Sequence, residues 1–244
     1  MSGMLFSIDG FIERLSSADV GLGSIGPVNF TQIDLTQPEP DKVERTSNML
    51  SSYGSALDVA LFEKPTEIEV GWDDIDPDLL SLCLRGTVAS YTQSAQTDKS
   101  ASVVVKHDRW VGLESGDITA LTVTGKVEGT DYLLHADGGL FKALSTGSIV
   151  DGATVSYTYS CAARSGKRVK AGADKSSIIC RIHGPGANKF TGESGYLDIP
   201  RAVLFPTQTL SFATKTAMSF SLKGTVTLKA GLDYEWRFDT YSVS

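Results

Sequence analysis

The sequence predicts a mainly β protein, a sandwich or barrel with one short flanking helix and an extended N-terminal arm. Three observations carry this expectation. Apolar and polar residues alternate over short runs, the two-residue period of half-buried strands. The 24 glycines, together with Thr- and Ser-rich stretches, favour many short strands joined by turns. One strand phrase also occurs twice: Pro65-Thr66-Glu67-Ile68-Glu69-Val70 precedes Leu84-Arg85-Gly86-Thr87-Val88, and Pro206-Thr207 with Leu210 and Phe212 precedes Leu222-Lys223-Gly224-Thr225-Val226. A strand unit cannot hide its apolar face alone, so the repeat predicts one unit used twice. Gly86 and Gly224 then hold corresponding places, each a structural glycine at a bulge or a close backbone approach.

In chain order, residues 1–64 show weak periodicity, with Gly21, Gly23, Gly26, Pro27, Pro38 and Pro40 interrupting any long element. They read as an N-terminal arm, and residues 65–244 as the β domain. A strand over 66–70 leads to Asp76-Pro77-Asp78, where an N-cap acid, a proline at the first helical position and a second acid start a short helix that Gly86 ends. Strands are expected over 87–93, 101–106, 118–127 and 132–135. Asp137-Gly138-Gly139 then makes a tight turn into 140–144, and Asp151-Gly152 repeats the device before 153–159, where Val155, Tyr157 and Tyr159 share a face.

Composition narrows the function classes. Three cysteines, Cys83, Cys161 and Cys180, outline no disulfide framework and read as reduced thiols. No run approaches the 18 or so apolar residues of a membrane span, and the start lacks the basic lead-in of a signal sequence, so a soluble, unexported protein is expected. A net charge of −7 argues against tight phosphate binding. The charge is unevenly placed: residues 34–82 carry twelve Asp or Glu against Lys42, Arg45 and Lys64, and residues 161–190 carry seven Lys or Arg against Asp174.

The chemical candidates fall one by one. Cys180-Arg181-Ile182-His183, beside a Gly184-Pro185-Gly186 turn, offers two metal-type residues where a tetrahedral zinc site needs four ligands. Arg164-Ser165-Gly166-Lys167-Arg168 lacks the first glycine and the final hydroxyl of a phosphate loop. His107-Asp108-Arg109-Trp110 has no nucleophile motif beside it. Asp73, Asp74, Asp76 and Asp78 lack a calcium-loop order and sit at a helix start, where acids are favourable anyway. Trp72, Trp110 and Trp236 are scattered rather than periodic. The sequence predicts no enzyme, no cofactor and no metal.

Three stretches together resemble the major tail tube proteins of long-tailed bacteriophages. They are Tyr53-Gly54-Ser55-Ala56-Leu57-Asp58 with 65–70, 76–80 and 84–87; Tyr132 to Gly139 with 140–159; and Gly186-Ala187-Asn188-Lys189-Phe190-Thr191-Gly192 with 197–202, 205–207 and 222–226. The resemblance implies a structural virion protein of the tail, assembled in the host cytoplasm, whose hexameric rings stack into a tube for genome ejection in the same fold group as type VI secretion tubes. It further implies a tape-measure protein in the bore, tail terminator and tail-tip proteins at the ends, and double-stranded DNA passing without specific binding. A carbohydrate-binding or adhesion β-sandwich is the alternative reading. Within the tube reading, Arg164, Lys167, Arg168, Lys170 and Lys175 are expected to reach Asp73, Asp74, Asp76 and Asp78 of an adjacent subunit, because the same cluster facing the bore would grip phosphates.

Overall fold

The computed structural model describes residues 5–173, 178–207, 212 and 218–241. Along the chain run β1 (Phe6–Ile8), β2 (Gly10–Leu15), β3 (Gly21–Val28), β4 (Phe30–Thr36), β5 (Asp41–Thr46), β6 (Ala56–Phe62), β7 (Glu67–Trp72) and the helix α1 (Pro77–Cys83). Then come β8 (Thr87–Gln93), β9 (Gln96–Val104), β10 (Trp110–Gly112), β11 (Ile118–Thr122), β12 (Tyr132–His135), β13 (Leu140–Ala143) and β14 (Thr154–Cys161). The last five are β15 (Arg164–Lys170), β16 (Ile178–Asn188), β17 (Ser194–Pro206), β18 (Phe220–Val226) and β19 (Arg237–Tyr241). The protein is mainly β with one short helix among the described residues, as the alternation predicts.

The chain forms two compact units, residues 1–88 with 169–244, and residues 89–168. The strands β8 and β15, in which the chain passes from the first unit to the second and back, make a two-stranded sheet of their own.

In the first unit the sheet runs β3-β2-β16-β17-β18-β7-β4. Its two terminal strands, β3 and β4, are separated in sequence by Asn29 alone. Two trans peptide steps span no more than about 7.6 Å, so the sheet must roll until its ends meet at that corner. Every strand of the path therefore gives its inward residues to one core, among them Ile12, Val28, Val70, Trp72, Ile182, Ile199 and Leu222. The helix adds Leu79 and Leu82. Its start is as the sequence predicts: Asp76 is extended, its Oδ1 accepts from the amide of Asp78 at 2.8 Å, and Pro77 opens the first turn. The long hairpin of β16 and β17 carries β1 on its one side and β19 on the other. Pro200 falls where the β16–β17 register shifts between Ile199 and Ala202, and a bulge tolerates a residue that cannot donate to the ladder.

Several sequence expectations are corrected here. The arm of residues 1–64 is not a unit, because β2, β3 and β4 belong to the main sheet and Ile12 is fully buried. The glycines of residues 21–26 sit in β3, a terminal strand of that path, where a missing side chain costs little packing. Only β5 and β6 keep the character of an arm. The duplicated phrase is not a structural repeat: β7 and the strand containing Lys223-Gly224-Thr225 pair with each other, and Leu210 lies outside the described residues. Gly224 stands in mid-strand, whereas Gly86 lies between α1 and β8, so the two glycines do not correspond. Both still mark close approaches. A Cβ at Gly86 would stand 2.6 Å from the Lys170 carbonyl oxygen, and one at Gly224 1.9 Å from that of Val203. The Gly184-Pro185-Gly186 run is strand rather than turn, since Ser7 of β1 and Asp9 cross its glycines at backbone distance and the Asp9 amide donates to the Pro185 carbonyl at 2.9 Å.

The second unit is a small sandwich of two three-stranded sheets, β11-β14-β9 and β10-β13-β12. The alternation of β14 buries Val155, Tyr157 and Tyr159, as the sequence predicts, within a core that also holds Tyr132 and Phe141, stacked with centroids 4.9 Å apart. The turn at Asp137-Gly138-Gly139 joins β12 to β13, with Gly139 at φ +59. Asp131, nearly enclosed, accepts from the Ser148 amide at 2.7 Å, the Val127 amide at 2.8 Å and the Ser148 hydroxyl at 2.7 Å. These donors, the Ser148 amide foremost, hold its carboxyl down to about 2.

Two predictions follow from this packing. Gly224→Val should destabilise the first unit by about 3 kcal/mol or more in urea unfolding, because a neighbouring backbone cannot yield. Gly166→Ala, in β15 with open space around its Cβ, should be tolerated. For Asp131, a folded-state value below the ordinary 3.8 means stability that is present above pH 4 and lost as pH falls toward 2. The amide shifts of Ser148 and Val127 should titrate with a midpoint near 2, and a midpoint near 4 would contradict the assignment.

Candidate assembly surfaces

Among the described residues, the β5–β6 hairpin stands out by its exposure; it is inserted between β4 and β7, which pair directly. All six residues of β5 and all seven of β6 are exposed. Leu57, Val59 and Leu61 alternate onto one face, opposite the stems of Glu44 and Lys42 in register. A two-stranded ribbon alone in water is marginally stable, and this one also exposes a row of apolar side chains. Its root is fixed: the Gln37 Nε2 donates to the Lys64 carbonyl at 3.0 Å, Lys64 pairs with Asp41 at 2.7 Å, and the Thr66 hydroxyl lies 2.9 Å from Gln37 Oε1.

A second surface is an apolar cleft of about 630 Å³ beside β4. Phe6, Phe30, Ile33, Leu197, Trp236 and Phe238 line it, with Thr31 and Gln32 as its polar residues. The cleft exists because β4 ends the sheet path and β1 and β19 flank the far end of the β16–β17 hairpin, leaving their apolar side chains facing a gap. Sequence periodicity did not indicate it, since its walls come from segments far apart in the chain.

The charged residues singled out in the sequence have local partners. Asp73 Oδ1 accepts from the Asn29 side-chain amide at 2.7 Å, and Asp74 Oδ2 accepts from the Asn29 backbone amide at 2.6 Å. Asp76 caps α1, and the Asp78 carbonyl accepts from the Ser81 hydroxyl at 2.7 Å. Arg164 pairs with Asp117 and its Nη2 donates to the Asp137 carbonyl at 2.6 Å. That guanidinium holds the Asp117 carboxyl below its ordinary value. Arg168 lies over the ring of Tyr91, 4.5 Å from its centroid. Lys167 and Lys170 are exposed on β15, and Lys175 lies outside the described residues. Asp73, Asp74, Asp76 and Arg164 are thus engaged within the chain, a use that linear charge runs do not reveal. The second unit carries eight residues of each sign, so the entire −7 falls on the first.

The histidines and cysteines are tied into the fold. Cys180 faces the core and His183 the other side of β16, because strand residues three apart project oppositely. His183 lies 2.9 Å from the Tyr196 hydroxyl and 3.2 Å from that of Ser24, and partial burial with Arg181 nearby lowers its pKa. His107 Nε2 is 2.7 Å from the Ile149 carbonyl oxygen. Among the described residues no three His, Cys, Asp or Glu side chains are grouped to hold a metal, and no helix is long and apolar enough to cross a membrane.

Residues 25–231 match the model of a family described as "Protein of unknown function UCP028589". No curated protein matches the chain.

The Asn29 corner yields a prediction opposite to the one drawn from the charge runs. Asp73→Ala with Asp74→Ala should lower the stability of the first unit by about 1 kcal/mol, since hydrogen bonds to exposed carboxylates are partly compensated by water. Urea unfolding checks it, and an unchanged midpoint would contradict the role of the corner.

Proposed function

We propose that the chain, which belongs to this family of unknown function, is the structural subunit of a bacteriophage tail tube. In this reading hexameric rings stack into the conduit through which the genome leaves, with a tape-measure protein in the bore until ejection and terminator and tip proteins closing the ends. The observation that carries it is the β5–β6 hairpin, ordered yet exposed along both of its strands. A body with a projecting ribbon and an apolar cleft has two unlike surfaces, and repeated unlike contacts close into rings or extend into filaments. The free lengths of β3 and β4 at the ends of the sheet add strand edges that a neighbouring subunit can cover.

The charge distribution supports the same reading. A wall built from the acidic first unit gives passing DNA no phosphate grip, and tight binding would slow its exit. The chemistry-bearing side chains are occupied with structural bonds, which suits a conduit. An adhesion module that stacks sugars on clustered tryptophans has less support, because Trp72 is fully buried in the core and contributes to no platform.

The purified protein should form rings and tubes in negative-stain images and sediment as a concentration-dependent series. Leu57→Asp with Val59→Asp, both on the exposed ribbon, should abolish assembly while leaving the circular dichroism spectrum unchanged. A wild-type protein that remains monomeric at high concentration would overturn the proposal.

A further inference from the structure

We infer that the tip of the β5–β6 hairpin in one copy seats in the apolar cleft of a second copy, as plug and socket. This rests on the self-assembly reading above and names its contact. The tip, residues 47–55, is not a loose loop. Ser47 is buried, its hydroxyl lies 2.7 Å from that of Ser52, its amide donates to the Ser55 carbonyl at 2.8 Å, and its carbonyl accepts from the Gly54 amide at 2.9 Å. Gly54 takes the left-handed φ of +82 that the turn needs. This framework presents Met49, Leu50 and Tyr53 at 68%, 102% and 78% exposure. A turn ordered by its own hydrogen bonds and displaying three large apolar side chains is a preorganised anchor, with little ordering entropy left to lose on docking.

The socket matches it in chemistry. The cleft is lined mainly by apolar and aromatic side chains, with Thr31 and Gln32, and no charged group lines it among the described residues. The tip sequence Ser-Asn-Met-Leu-Ser-Ser-Tyr-Gly-Ser is equally uncharged, so docking strands no ion away from water. The tip does not fill the cleft of its own chain: Met49, Leu50 and Tyr53 are exposed, and β5 places the tip about 20 Å beyond the root tied at Gln37, Lys64 and Thr66. Among the described residues, one chain therefore supplies one plug and one socket that its own plug does not fill. A second copy covers both without remainder, whereas a different protein would cover only one of them. Because plug and socket are different surfaces, the contact propagates from copy to copy instead of closing as a two-fold dimer.

The test mixes Leu50→Cys chains with Thr31→Cys chains, Thr31 being exposed at the cleft, and adds a short bifunctional maleimide. Native thiols do not compete, since burial pushes Cys83 and Cys180 up to about 12 and Cys161 is enclosed. A covalent dimer is expected from the mixture and from neither variant alone. In parallel, Leu50→Asp should raise the protein concentration needed for assembly at least tenfold. Leu50 is fully exposed in the subunit, so folding is not at stake. Tubes that form without the mixed crosslink, or at unchanged concentration with Leu50→Asp, would overturn the inference and leave the tube reading intact. Crosslinked short chains without tubes would uphold the plug and refute the tube. Absence of any self-association would refute both.

Discussion

The architecture of the first unit depends on a single residue between two strands. Asn29 joins the two ends of the seven-strand path, and its backbone and side-chain amides are held by Asp74 and Asp73 at the end of β7. Without that corner the sheet would be an open, twisted ribbon with one apolar face in water. With it, Trp72 and Phe30 come opposite each other in register, their rings meet edge to face at 6.4 Å, and the inward residues of every strand share one core. The apolar cleft is a by-product of the same closure: the sheet ends meet at the corner, while along the rest of β4 the gap is bordered by β1 and β19.

Local signals were legible and long-range ones were not. The helix start at Asp76-Pro77 and the turns at Asp137-Gly138-Gly139 and Asp151-Gly152 are dictated by a few adjacent residues, and the structure has them where the sequence places them. The reading of residues 1–64 failed because glycine and proline weaken a strand in isolation, yet β3, which holds Gly21, Gly23, Gly26 and Pro27, pairs with β2, and that pairing compensates. Gly86 and Gly224 share flanking residues and the need for a missing side chain, but the obstructing carbonyls belong to unrelated segments. The sequence did not show that the exposed Asp73 and Asp74 hold a chain corner, because their partner, Asn29, lies more than forty positions away.

The division into two units was also invisible in the sequence. Strand-length alternation continues through residues 89–168 without a linker or a change of composition, and their charges cancel. What distinguishes that stretch is contact, not chemistry: its tyrosines and Phe141 pack on one another, and Gln93 reaches the Gly116 and Ala162 carbonyls at 2.8 and 2.9 Å to close its base.

The departure point of that stretch has an implication for how the protein varies. At Gly86 the outgoing chain lies backbone to backbone with Lys170 on the return, and the Gly172 amide donates to the Leu84 carbonyl at 3.0 Å. To the rolled sheet, the whole of residues 89–168 is a loop whose ends already touch. Loop-closure entropy grows only as the logarithm of length, about 0.6 kcal/mol for each doubling. Lengthening or replacing that module would therefore carry a small closure cost for the rolled sheet, whereas a single-residue insertion at Asn29 would lengthen the one-residue link that holds its two ends together.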